Sequence, residues 1–247
     1  MLKESRKSVQ KIVDEQIQQW IASVSQFEKK KLPEEKPKQP FFPSIAISRQ
    51  RGSGGWLIGK KVAEVLDFKL FDSTILNEVA KDLKISRKVL DTVDEQVVTK
   101  MELWINRLFR NKFIEPSDFQ HHLVQAVLSI AEHGRSVLIG RGAHAIIPAE
   151  KSFRIRFVAP LEIRVSNISR ELNLTEDEAR LDVIQKSRDR DVFLKQNFDI
   201  NVNDAQNFDI VINTEYFTIE DVTRLISDTY QRRYNYSIDV AGSKEKK

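Results

Sequence analysis

Two hydrophobic periodicities divide the chain. Val9, Ile12, Val13, Ile17, Trp20, Ile21 and Val24 recur at steps of three and four, which predicts an amphipathic helix over residues 5–28. The stretch that follows, KKKLPEEKPKQPFFP, has lysines, glutamates and four prolines but no apolar period, and reads as an extended linker. The helix and linker (1–40) are thus expected to share little core with a main domain over 41–235, and 236–247 to form a flexible tail. From Phe41 onward short apolar runs alternate with helical patterns: SIAIS (44–48), FKLF (68–71), SVLIG (136–140), RIRFV (154–158) and DIVIN (209–213). This alternation predicts an α/β fold, a parallel five-stranded sheet flanked by helices. Several runs are apolar without alternating, as strands covered on both faces require.

The helical patterns between these runs are equally readable. Ile58, Val62 and Val65 mark a helix over 57–66, and a second is expected over 74–83. Met101, Trp104, Ile105, Leu108, Phe109 and Phe113 form one apolar stripe, Leu123, Val127 and Ile130 another, and aromatics so spaced are more often core than ligand platform. Thr175 to Glu178 is a capping box that starts a helix leading into KSRDRD.

Composition narrows the chemistry. The 247 residues are 40% apolar and 31% charged, enough for one sizeable core. No apolar run approaches the roughly 20 residues that cross a bilayer, and the start, MLKESRKSVQ, lacks the apolar centre of a secretory signal, so a cytoplasmic location is expected. There is no cysteine for a disulfide or thiolate site. The four histidines, His121, His122, His133 and His144, have no metal-ligand spacing. Any metal is expected to be Mg²⁺ carried in with a nucleotide. The net charge of +4, from 40 basic and 36 acidic residues, suits anionic partners, but no arginine and aromatic run of a nucleic-acid motif is present.

The candidate chemistry lies in SRQRGSGGW (48–56), directly after the first predicted strand. A strand, a turn containing Gly52, Ser53, Gly54 and Gly55, and then a helix would aim backbone N–H groups and a helix dipole at one phosphate, with Arg49 and Arg51 beside it. The alternative is a tight turn with solvated arginines. Gly54 to Lys60 fits G-x-x-x-x-G-K, but Lys61 follows where Ser or Thr should hold Mg²⁺, and the lysine would lie inside the helix.

The stretch IAISRQRGSGGWLIGKKVAEVLDFKLFDS, with VLIGRGAHAIIP (137–148), RIRFVAPLEIRVSNI (154–168) and FDIVINT (208–214), resembles the cytidylate kinase-like family in the same order over residues 44–230. The resemblance implies a P-loop kinase fold with a lid, transferring a phosphoryl group from ATP, with Mg²⁺, to a nucleoside monophosphate. Set against cytidylate kinase, the P-loop lysine position falls on Gly55, the Mg²⁺-binding Ser/Thr position on Leu57, an acceptor-binding arginine on Glu78, and the aspartate of a G-R-D turn on Gly142. Trp56 stands where the kinase-like branch usually has arginine. The missing charge must come from elsewhere: Arg49, Arg51, Arg141 in the G-R-G turn, and Arg188 and Arg190 in the lid segment. Asp72 and Ser73, at the end of the second strand, are the candidate acceptor-side residues, Asp72 doubling as a helix cap. Asp209 reads as structural. Two functions remain open: an ATP-dependent nucleoside-monophosphate kinase with a modified loop, or a nucleotide-binding sensor or scaffold of kinase fold that no longer catalyses. The apolar face of the N-terminal helix must find cover on the domain or in a second copy, which would make a homodimer.

Overall fold

A computed structural model describes residues 2–29, 41–109 and 117–237, so the predicted linker over 30–40, Phe113 and nearly all of the tail lie outside the described residues. All five predicted strands are present: β1 (Ser44–Arg49), β2 (Lys69–Phe71), β3 (Ser136–Ile139), β4 (Ser152–Val158) and β5 (Ile210–Asn213). They form one parallel sheet in the order β2-β3-β1-β4-β5. β1 is central, with Ile45 opposite Val137 on one side and Phe153 on the other. Each crossover needs a helix to return the chain, which is why helical and strand patterns alternate.

One sheet face is covered by α2 (Gly55–Leu66) and α10 (Ile219–Tyr234). Ile45, Ile47, Phe153, Ile155 and Phe157 meet Ile58, Val62, Ile226 and Tyr230 there. The opposite face carries α3 (Ser73–Lys81), α4 (Leu83–Leu90), α5 (Glu95–Phe109), α6 (Asp118–His133) and α7 (Ala143–Ile146). The helix expected over 74–83 breaks at Asp82, whose side chain accepts from the N–H groups of Lys84 (2.9 Å) and Ile85 (3.3 Å) and so caps α4. The stripes of α5 and α6 are core: Met101, Ile105, Leu123, Val127 and Ile130 are all buried. Beyond the strand ends, α8 (Leu161–Leu172) packs on α9 (Glu176–Phe198), which begins at the Thr175 capping box and carries KSRDRD in its middle.

The N-terminal helix α1 (Leu2–Lys29) departs from the expectation that it would share little core with the domain. Val13, Ile17, Trp20 and Val24 are buried in the same cluster as Phe71, Leu76 and Val79. Trp20 meets the rings of Phe71 and His133 edge-on, at 5.6 and 5.5 Å between centroids. The face that needed cover finds it on α3 and α4, and is therefore not available to a second copy of the chain. The cause is geometric. The short helices α3 and α4 pack on α6, and α1 lies against both of them, so its apolar side closes the same core. Trp20→Ala should accordingly cost about 3–5 kcal/mol in denaturant unfolding, the range for a large buried ring truncated to methyl. A loss below about 1 kcal/mol would mean the contact is superficial.

Candidate functional site

The turn between β1 and α2 is tight and held from outside. Gly52 (φ 83°) and Gly54 (φ 74°) are left-handed, and Ser53 is buried. The Ser53 hydroxyl donates to the Gln50 carbonyl (2.9 Å), Thr214 to the Ser53 carbonyl (3.0 Å), and the Asn167 amide to the Gly52 carbonyl (2.9 Å). Two of these carbonyls are held by neighbouring elements and the third within the turn, and α2 begins at Gly55 behind Gly54, which supplies no capping side chain. Its first-turn N–H groups are met by no cap, the arrangement that suits an anion. At Gly55 a Cβ would lie 2.7 Å from Arg49 Cβ and 2.8 Å from Phe157 Cδ2, so the backbone can pass here only without a side chain. The absent lysine is thus built into the packing. Leu57 is exposed, and the Trp56 indole N–H donates to Asp72 Oδ2 at 3.3 Å. Asp72 Oδ1 accepts from the N–H groups of Thr74 (2.8 Å) and Ile75 (3.1 Å), the capping role foreseen for it.

The chief cavity, about 460 Å³, opens where the C-terminal ends of β1, β3 and β4 meet α9. Of the sequence candidates it collects Arg49, Ser73, Arg141 and Arg190. It does not include Arg51, Arg188, Asp72 or the loop residues 52–55, which is a correction to the expected single cluster. Arg51 instead pairs with Asp182 of α9 at 2.8 Å, and Asp182 also takes Lys186 at 2.7 Å. Arg188 points to solvent. Helical spacing decides this, since neighbours on one turn cannot all face the same wall.

The lining charges are crowded. Arg49 lies against Gly140, whose lack of a side chain makes room for the guanidinium, and donates weakly to Ser73 Oγ at 3.4 Å. Its pKa is lowered to about 9, by burial first and then by Arg190, with Arg141 and Arg51 adding to the lowering and Asp72 opposing it. Arg190 donates to the Arg49 carbonyl (3.3 Å) and is likewise lowered, first by burial and then by Arg51. Arg141, at a left-handed φ of 50°, lies over the Phe193 ring at 5.1 Å with its Nε buried and unpartnered.

Sequence reasoning missed the other wall. Arg156 of β4 is buried and donates to Ser48 Oγ (3.0 Å) and Asn203 Oδ1 (3.1 Å), while Arg164 of α8 donates to the Ala159 carbonyl (2.9 Å) and Ser187 Oγ (3.3 Å). His144 stacks on Phe208, 4.8 Å between centroids. The signal was present: RIRFV places arginines in a strand that both neighbours require to be apolar, an anomaly that points to a purpose. Asp209, by contrast, is structural as expected, accepting from the Arg154 backbone N–H (2.8 Å) and flanked by Arg154 and Arg233.

A family model described as the cytidylate kinase-like family matches residues 44–216. The chain belongs to that family. Among characterised relatives, the cytidylate kinase of Methanocaldococcus jannaschii is 24% identical over 74% of this chain and 94% of its own length, and that of Pyrobaculum islandicum 26% identical over 74% and 90%. A uronate isomerase of Corynebacterium glutamicum is 32% identical, but over 40% of this chain and 19% of its own length. A crystal structure of an uncharacterized protein from Eubacterium ventriosum shares the fold at a TM-score of 0.62, with 22% identity, over 77% of this chain and 99% of that one. The chain is a kinase-like nucleotide-binding protein of this family, and among its described residues no helix is long and apolar enough to cross a membrane.

Two outcomes follow from this packing. Gly55→Lys should destabilise the fold, not restore a kinase loop, because Arg49 and Phe157 must move; a variant with wild-type stability would show the loop to be pliant. His144 is held neutral: burial first, then Arg156 and Arg154, lower its pKa to about 4. The unfolded imidazole, at about 6.5, takes up a proton first as pH falls, so this contribution is complete above about pH 6.5 and is lost toward pH 4. Across that window wild type should lose about 3 kcal/mol more than His144→Phe in denaturant melts. Equal losses would refute the assignment.

Proposed function

We propose that this family member transfers a phosphoryl group from ATP to a nucleoside monophosphate in the arginine-lined cavity. One observation supports the reading above others. Arg49, Arg141, Arg156, Arg164 and Arg190 line one cavity, and among the described residues none lies within ion-pair distance of a carboxylate. Buried charge without a partner is costly, so such a set is retained for an anionic ligand that supplies the missing counter-charge. The ends of parallel strands are where open α/β sheets bind ligands.

In the reaction, an oxygen of the acceptor phosphate forms a bond to the γ-phosphorus of ATP while the bond to the departing diphosphate breaks, releasing ADP. Charge accumulates on the bridging and equatorial oxygens. Arg49, Arg141 and Arg190 are placed to neutralise it, a role for which a planar guanidinium with paired donors suits better than a point charge. Mg²⁺, when bound with the nucleotide, draws electron density from the phosphates. Leu57 offers it no oxygen, and among the described residues no group of three or more His, Asp or Glu is arranged to hold a metal. α9 lines one side of the cavity and would exclude solvent from the reacting groups if it closed over the ligand, as a lid does.

A second reading rests on Gly55. With the lysine position closed by Arg49 and Phe157, the cavity could bind nucleotide and report its presence without turning it over. A coupled ADP-release assay with ATP and Mg²⁺ across the monophosphates separates the two. Turnover with at least one acceptor is expected. Arg190→Ala should lower it by roughly a hundredfold, about 3 kcal/mol of transition-state stabilisation. Nucleotide binding with no turnover for any acceptor would leave the sensing reading in its place.

A further inference from the structure

The cavity has two ends that differ in their electrostatics. At one end Arg49 is acted on by Arg190, Arg141 and Arg51 against Asp72, and Arg190 by Arg51 and Arg141 against Asp182 and Asp191. At the other end Asp191 acts on Arg156 and Arg164, as it does on Arg190. Asp191, which also lines the cavity, lies beyond ion-pair distance of either; burial pushes its carboxyl up, Arg156, Arg190 and Arg164 oppose that rise, and its one charge is shared among the three.

Arg156 is the most deeply placed of the group, at 5% exposure, and its guanidinium meets two neutral oxygens, Ser48 Oγ and Asn203 Oδ1, above the Phe208 ring. His144 shares that wall, also 5% exposed, and its buried Nε2 has no hydrogen-bond partner. Both residues line the cavity with Ser48 and Asn203. A buried polar atom without a hydrogen-bond partner and a buried charge with no carboxylate at ion-pair distance, lining one cavity, are each expensive and rare. One oxyanion would satisfy both, accepting from the remaining guanidinium N–H groups and from His144 Nε2 in the tautomer that carries its proton there. An uncharged base edge would use the hydrogen bonds but leave the Arg156 charge uncompensated.

Resting on the nucleotide-binding reading above, we infer that the acceptor carries a second anionic group, a carboxylate or a phosphate, which Arg156 and His144 hold at their end of the cavity while its 5′-phosphate lies among Arg49, Arg141 and Arg190. The preferred acceptor is then a doubly anionic nucleotide, and a plain monophosphate is a weaker ligand.

Isothermal titration of the full chain with three probes tests this: uridine 5′-monophosphate, orotidine 5′-monophosphate, which adds a carboxylate to the base, and uridine 3′,5′-bisphosphate, which adds a phosphate to the ribose. At least one doubly anionic probe should bind tenfold or more tighter than uridine 5′-monophosphate, and which one does so names the group. Arg156→Met should reduce that ratio to within twofold of one, whereas Arg156→Lys, which keeps the charge, should retain part of it. Equal binding of all three by wild type overturns the inference while leaving the nucleotide site standing, and needs no variant to fold. A ratio unchanged in Arg156→Met also overturns it. If neither the probes nor ATP gives heat, the nucleotide reading falls with it.

Discussion

Five guanidinium groups at the carboxyl edge of a parallel sheet, none of them within ion-pair distance of a carboxylate among the described residues, are the constraint on which the site depends. Like charges so close repel, and each must be held by something other than an ion pair. The protein uses neutral oxygens: Ser73 for Arg49, the Arg49 carbonyl for Arg190, Ser48 and Asn203 for Arg156, the Ala159 carbonyl and Ser187 for Arg164. These contacts orient the fork of each side chain without cancelling its charge. The one arginine of the loop that does find an acid, Arg51 with Asp182, lies outside the cavity and ties α9 to the loop.

That arrangement explains the glycines better than the phosphate-loop pattern does. Gly140 leaves space for the Arg49 guanidinium, and Gly55 lets α2 start against the Arg49 stem and Phe157. In the cytidylate kinase-like family member described here, the space that a lysine would occupy is taken by the packing that positions an arginine. The helix dipole still contributes at α2, but as a partial charge beside several full ones.

Much of the fold was legible because its signals are local. Non-alternating runs such as SVLIG mark strands covered on both faces, and Thr175 to Glu178 marks the start of α9, whatever the rest of the chain does. The site was legible in part. Arg49, Arg141, Arg190 and Ser73 stand out by their places after strands and in the lid segment, and they do line the cavity. Arg51 and Arg188 have equal standing in sequence but face elsewhere, and Arg156 was hidden inside what reads as an ordinary strand.

By itself the sequence determined the order of elements, the parallel sheet and the absence of a lysine at Gly55, since periodicity and residue identity need no partner to be read. Only the tertiary structure decided that Trp20 belongs to the main core, that Gly55 has no room for a side chain, and that Arg156 and His144 share a wall with Arg49 and Arg190. Those facts depend on contacts between residues up to 141 positions apart. A side chain's direction is set by its own backbone, but what it meets is set by the element that packs opposite.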